Sequence, residues 1–64
     1  MTNSYEKFRF LMYQHNERKA DVIRETGVTR PTLLKWEKGE LPTIPVLRKI
    51  ANHYSVSVKE FIDD

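Results

Sequence analysis

The chain of 64 residues reads as a compact all-α domain of five short helices. Three observations predict it. Apolar residues recur at three- and four-residue spacings in each segment, the mark of a helix with one buried face. No stretch alternates apolar and polar residues long enough to make a strand; Ser55-Val56-Ser57-Val58 comes nearest, and helix capping accounts for it better. The two glycines and three prolines fall between the periodic segments or in their first turns. A chain this short forms a single domain, residues 1–64, and buries only about 60% of the surface its unfolded form exposes.

The first helix is predicted over 4–15. Tyr5, Phe8, Leu11, Met12 and His15 share one side at about 100° per residue, while Phe10 and Tyr13 fall on the other. Packing of the fifth helix on the back of the first is therefore expected to cover Phe10, Tyr13, Phe61 and Ile62. The alternative leaves some of them exposed as a self-association surface. The second helix, over 18–26, turns Val22, Ile23 and Thr26 inward and Arg18, Lys19, Asp21, Arg24 and Glu25 outward. Gly27 follows, where a left-handed backbone ends a helix without a Cβ clash.

The third helix, over 29–38, opens with Thr29 as its cap and Pro31 in its first turn, buries Leu33 and Trp36, and stops at Gly39. The fourth, over 43–54, has Thr43 as its cap and Pro45 in its first turn. Ile44, Leu47, Ile50, Ala51 and Tyr54 make its apolar side. The fifth, over 57–63, begins with Ser57 and Glu60 at capping-box spacing, followed by Phe61 and Ile62.

Composition removes several function classes. There is no cysteine, so no disulfide and no thiolate metal site. His15 and His53 are the only histidines and are expected to pack or bond locally, with no metal and no cofactor. No Ser-His-Asp set, phosphate-cradling glycine loop or carboxylate pair in apolar surroundings can be assembled, so binding rather than enzymatic chemistry is expected. No apolar run approaches the roughly 20 residues of a membrane span. The first ten residues lack the apolar stretch of a signal peptide, and a cytoplasmic location is the expectation. Residues 1–50 carry ten basic and six acidic side chains, whereas 51–64 carry one basic and three acidic ones. A basic body with an acidic end hints at a polyanionic partner.

Two short helices joined by a glycine turn suggest a helix-turn-helix. Leu33 and Trp36 make one stripe of the third helix; Arg30, Pro31, Leu34, Lys35 and Lys38 spread over the outward side. Such a strip suits the major groove of double-stranded DNA. Arginine can donate two hydrogen bonds to guanine O6 and N7, lysine one or two, and leucine can contact a thymine methyl.

Residues 17–60 resemble the Cro and lambda-repressor class of helix-turn-helix domains (Cro/C1-type, XRE-like) of phage and bacterial regulators. The resemblance is carried by Gly27-Val28-Thr29-Arg30-Pro31-Thr32-Leu33-Leu34-Lys35-Trp36-Glu37-Lys38-Gly39, then Pro42-Thr43, Leu47, Ile50-Ala51 and Tyr54-Ser55-Val56-Ser57. It implies a lambda-repressor-like fold and a sequence-specific transcription regulator of Cro-like or repressor type in a bacteriophage genetic switch, acting at the nucleoid of the bacterial host. By position it implies that Thr29, Arg30, Pro31, Leu34 and Lys35 contact bases or flanking phosphates. It implies that Lys19 touches the phosphate backbone and that Lys38 and Thr43 flank a second phosphate track. Arg18, beside Lys19, is a further phosphate candidate, with simple solubilisation as its alternative. A homodimer on a pseudo-palindromic operator is the expected working form, either through the domain itself or as the DNA-binding piece of a longer repressor.

The chain also departs from the family pattern. Ile23 stands where a small alanine is usual, and Glu17 and Thr26 replace usual leucines. Met12 occupies the place of an arginine that pairs with the glutamate equivalent to Glu37, so Glu37 needs another partner or greater exposure. Pro31 and Leu34 are unusual on a base-reading surface. They suit the rival reading, in which the same fold serves as an antirepressor or adaptor that binds a partner repressor protein.

Overall fold

The computed structural model describes residues 4–62. Among them are five helices and no strand: α1 (Ser4–Gln14), α2 (Lys19–Thr26), α3 (Arg30–Glu37), α4 (Ile44–Tyr54) and α5 (Lys59–Ile62). α2, α3 and α4 are a residue or two shorter than predicted because the predicted spans include the caps Arg18, Thr29, Lys38 and Thr43; α1 ends one residue earlier than predicted and α5 begins two residues later. Residue 63, placed at the end of the fifth helix by the sequence, lies outside the described residues.

The helix ends follow sequence logic in part. Gly27 adopts φ 81° and its N–H donates to the Ile23 carbonyl at 2.9 Å, closing α2 in the left-handed conformation expected. Asn16 and Ser55 take the same region at φ 54° and 58° without being glycine. Thr29 and Thr43 occupy the N-cap positions of α3 and α4 with extended backbone, but neither hydroxyl makes a cap bond. The Thr29 hydroxyl instead meets that of Thr32 at 2.9 Å.

The capping box expected of Ser57 and Glu60 does not form as predicted. Ser57 Oγ accepts from the Lys59 N–H, and the Glu60 carboxylate pairs with Lys7 of α1 at 3.1 Å, so a tertiary ion pair wins over the local cap. A carboxylate cap does close α2, where the Arg18 backbone N–H donates to Asp21 Oδ2 at 2.9 Å.

The core lies between α1, α3, α4 and α5 with α2 closing one side. Phe8, Val22, Leu33, Leu47 and Ile50 are fully buried. Val28, in the turn after Gly27, is buried as well, so the α2–α3 connection is anchored by its own side chain. Trp36, 1% exposed, is the hub: its ring stacks on Phe8 at 5.0 Å and meets Tyr5 and Phe61 edge-on at 5.8 and 5.5 Å. Its Nε1–H donates to Ser4 Oγ at 2.8 Å, which satisfies the one polar atom of the ring.

Three expectations for the core need correction. Ile44 is 44% exposed: it opens α4, ahead of the stripe of Leu47, Ile50, Ala51 and Tyr54 that meets the core. His15 is exposed, although its ring lies 5.0 Å from that of Tyr54. The fifth helix does pack on the first and buries Phe61, but it leaves Phe10, Tyr13 and Ile62 56%, 83% and 43% exposed. Four residues of α5 cannot cover the back of an eleven-residue helix.

Trp36→Ala is expected to cost about 3–5 kcal/mol, the usual loss for a buried large aromatic, or to unfold the chain. Urea denaturation followed by circular dichroism measures it. A stable variant defective only in ligand binding would place Trp36 on the wrong face.

Candidate nucleic-acid interface

Rotation of α3 about its axis is set by Leu33 and Trp36, which point into the core with 0% and 1% exposure. Every side chain predicted to read bases then faces solvent: Thr29, Arg30, Pro31, Leu34 and Lys35 are all exposed. They form one continuous strip, because positions three and four apart lie side by side on a helix. Pro31 sits in the first turn, where the missing N–H leaves no broken bond.

The flanking candidates are distributed around this strip. Lys38 is exposed and forms the C-cap of α3. Thr43 is exposed at the entrance to α4 and lines a shallow groove with Thr32, Lys35, Leu41 and Val46, so the exit of α3 and the start of α4 present Lys35 and Thr43 together. Arg18 is exposed ahead of α2.

Lys19 differs from the rest. Its Nζ donates to Glu37 Oε1 at 2.8 Å, and the Tyr5 hydroxyl donates to the same oxygen at 3.2 Å. The ammonium also stands 5.9 Å from the centroid of the Tyr5 ring. Lys19 is therefore already paired with the last residue of α3. Its ammonium is held above the usual lysine range chiefly by the Glu37 bond, and the Glu37 carboxyl is held below its usual range chiefly by Lys19. Met12, at the place of an arginine in the family pattern, is buried, and Lys19 and Tyr5 supply the partners that Glu37 needs.

The other polar departures also find partners, although among the described residues Glu17 Oε1 is buried without one. Thr26 Oγ1 donates to the Val22 carbonyl at 2.7 Å and accepts from the Val28 N–H at 3.3 Å, which ties the end of α2 to the turn. Glu17 Oε2 lies 2.8 Å from His53 Nε2, joining the α1–α2 connection to α4 with both side chains largely covered. Burial, and then Glu17, push the neighbouring Tyr54 phenol above its usual range. Ile23, in place of a small residue, is half-buried and packs against the core.

An exposed-strip helix presented by a glycine-closed turn and backed by a fourth and fifth helix is the arrangement of a helix-turn-helix domain. The chain belongs to the family of Cro/C1-type HTH DNA-binding domains, whose model matches residues 7–64. No curated protein and no solved structure is significantly similar to it. Family membership makes it a DNA-binding regulator in general terms. Among the described residues no group of His, Cys, Asp and Glu could hold a metal ion, and no helix is long and apolar enough to cross a membrane.

Sequence reasoning did not find the Lys19–Glu37–Tyr5 cluster or the Glu17–His53 pair. The partners lie 18, 32 and 36 residues apart, beyond any local spacing rule. The only advance signal was the absence of a basic residue at position 12, which left Glu37 without an obvious counterion.

Both Asp21 and Glu37 lie below their ordinary values of 3.8 and 4.5, Asp21 mainly through the Arg18 backbone N–H and Glu37 mainly through Lys19. A depressed carboxyl contributes stability that is present above its unfolded value and lost as pH falls through the folded one. The melting temperature is thus expected to fall progressively below about pH 4.5. In the double variant Asp21→Asn, Glu37→Gln that part of the decline should be shallower. Thermal melts between pH 2 and 7 check it; parallel curves for the two proteins would contradict it.

Proposed function

We propose that the chain is a sequence-specific transcription regulator that lays α3 in the major groove of double-stranded DNA. The observation that carries this reading is the exposed strip of Thr29, Arg30, Pro31, Leu34 and Lys35 opposite the fully buried Leu33 and Trp36. In this reading Arg30 and Lys35 discriminate between bases, Leu34 and Pro31 contact thymine methyls or sugar edges, Arg18, Lys38 and Thr43 meet phosphates, and Lys19 does so to the extent that Glu37 releases it. Binding, not catalysis, is the role assigned to these residues, and the site of action is the bacterial nucleoid.

An eight-residue helix is about 12 Å long, the span of roughly four base pairs. One domain therefore selects poorly in a genome. A homodimer on a two-fold operator, with half-sites about one helical turn apart, restores selectivity. A phage genetic switch of Cro or repressor type fits a short domain used in this way.

One observation favours a second reading. Phe10 and Tyr13 stand exposed on α1, far more so than folding requires, and suit a protein contact. That contact is a second copy of the chain in the reading above, and a partner repressor if the domain is an antirepressor or adaptor.

A salt titration of binding to random duplex separates the two. A DNA regulator loses affinity steeply and linearly on a log–log scale, whereas an antirepressor binds duplex weakly at any salt. On a selected operator, Arg30→Ala is expected to cost about 1–3 kcal/mol and relax one base position, while Lys38→Ala weakens specific and random duplexes alike. Equal losses from both substitutions on both duplexes would refute the division between base and phosphate contacts.

A further inference from the structure

The cleft between α1, α2 and the end of α3 is lined by Tyr5, Glu6, Arg9, Met12, Lys19 and Glu37. Its four ionisable charges cancel, two acidic against two basic, at a place where family position alone would put a phosphate contact. The cancellation is not diffuse. Lys19 Nζ and Glu37 Oε1 are 2.8 Å apart, the Tyr5 hydroxyl fixes the same oxygen, and the charge of Arg9 acts on the same carboxylate. Glu37 is the more open of the two partners, with half its side chain exposed against about a third for Lys19. Anything that approaches the ammonium from solvent also meets the carboxylate.

We infer that Glu37 is a negative determinant of DNA affinity: it holds the Lys19 ammonium and so withholds most of one phosphate contact from the domain. The inference rests on the DNA-binding reading above. A phosphate near an isolated ammonium gains a full charge interaction and releases condensed counterions. Near a tight ion pair it meets a dipole, gains little, and is repelled by the carboxylate. To engage the backbone fully, Lys19 must leave Glu37, which keeps only the Tyr5 hydroxyl and the more distant Arg9. In a chain whose formal net charge is only +2, one lysine held back is a large part of the electrostatic attraction available. Glu37 thereby lowers binding to specific and random duplexes alike while leaving the base-reading strip on α3 untouched.

The test measures binding of wild type, Glu37→Gln, Lys19→Ala and the double variant to a random-sequence duplex across a salt series, with thermal melts to confirm folding. Glutamine keeps an oxygen for the Tyr5 hydroxyl and removes the charge. Glu37→Gln is expected to bind several-fold tighter at low salt, with a log–log slope steeper by about 0.9, the share of one phosphate. Lys19→Ala is expected to cost several-fold more in the Glu37→Gln background than in wild type. Unchanged or weaker binding by Glu37→Gln overturns the inference. So does an equal cost of Lys19→Ala in both backgrounds, which would reduce the effect of Glu37 to long-range charge. If Glu37→Gln does not fold, Glu37→Ala carries the same comparison. Wild type that shows no salt-dependent binding to duplex defeats the DNA-binding reading itself, and the inference with it.

Discussion

A helix of eight residues has too little surface to fix its own roll, and α3 is held by one side chain above all. Trp36 is clasped by the rings of Phe8, Tyr5 and Phe61 and pinned through its N–H to Ser4, so α1 and α5 both close on the same indole. Leu33, one turn earlier, is buried beside it. With those two positions locked, the direction of every other side chain on α3 follows from helix geometry. A rotation of α3 by one residue would bring Lys35 or Glu37 into the aromatic cluster and unpair a charge in apolar surroundings, at a cost of several kcal/mol. The outward strip is a product of the core, and the two cannot be changed independently.

Around that hub the domain places polar groups where an apolar residue would be simpler. Glu17 and His53 bond across the join of α1, α2 and α4; Thr26 caps its own helix and receives the turn; Lys19, Glu37 and Tyr5 knit the ends of α2 and α3 to α1. In a body only 28 × 22 × 19 Å across, directional bonds of this kind fix relative orientation where packing area is scarce.

The fold was legible in the sequence because its signals are local. Three- and four-residue periodicity located each helix, and Gly27 and Gly39 marked the ends of α2 and α3. The faces of α3 could be assigned from Leu33 and Trp36 alone. The exposed strip followed from the same arithmetic. What escaped was non-local. Ile44 fits the apolar stripe of α4 by spacing, yet it is 44% exposed at the start of the helix, ahead of the residues that meet the core. Glu60 fits a capping box, yet it finds Lys7 across the α1–α5 contact. Lys19 looks like an outward cation until Glu37 is brought to it from 18 residues away. Spacing rules describe a helix in isolation; Glu60 and Lys19 are decided by what another helix brings near.

The chain has a single tryptophan, and its environment separates two events that usually blur together in a small regulator. The indole is sealed among aromatic rings on the inner side of α3, while the strip offered to a groove lies on the outer side. Its fluorescence therefore shifts to longer wavelength when the aromatic cluster opens to water, and stays nearly constant when a ligand covers the opposite surface. The protein carries its own optical gauge of core integrity, one that a bound duplex leaves almost unread.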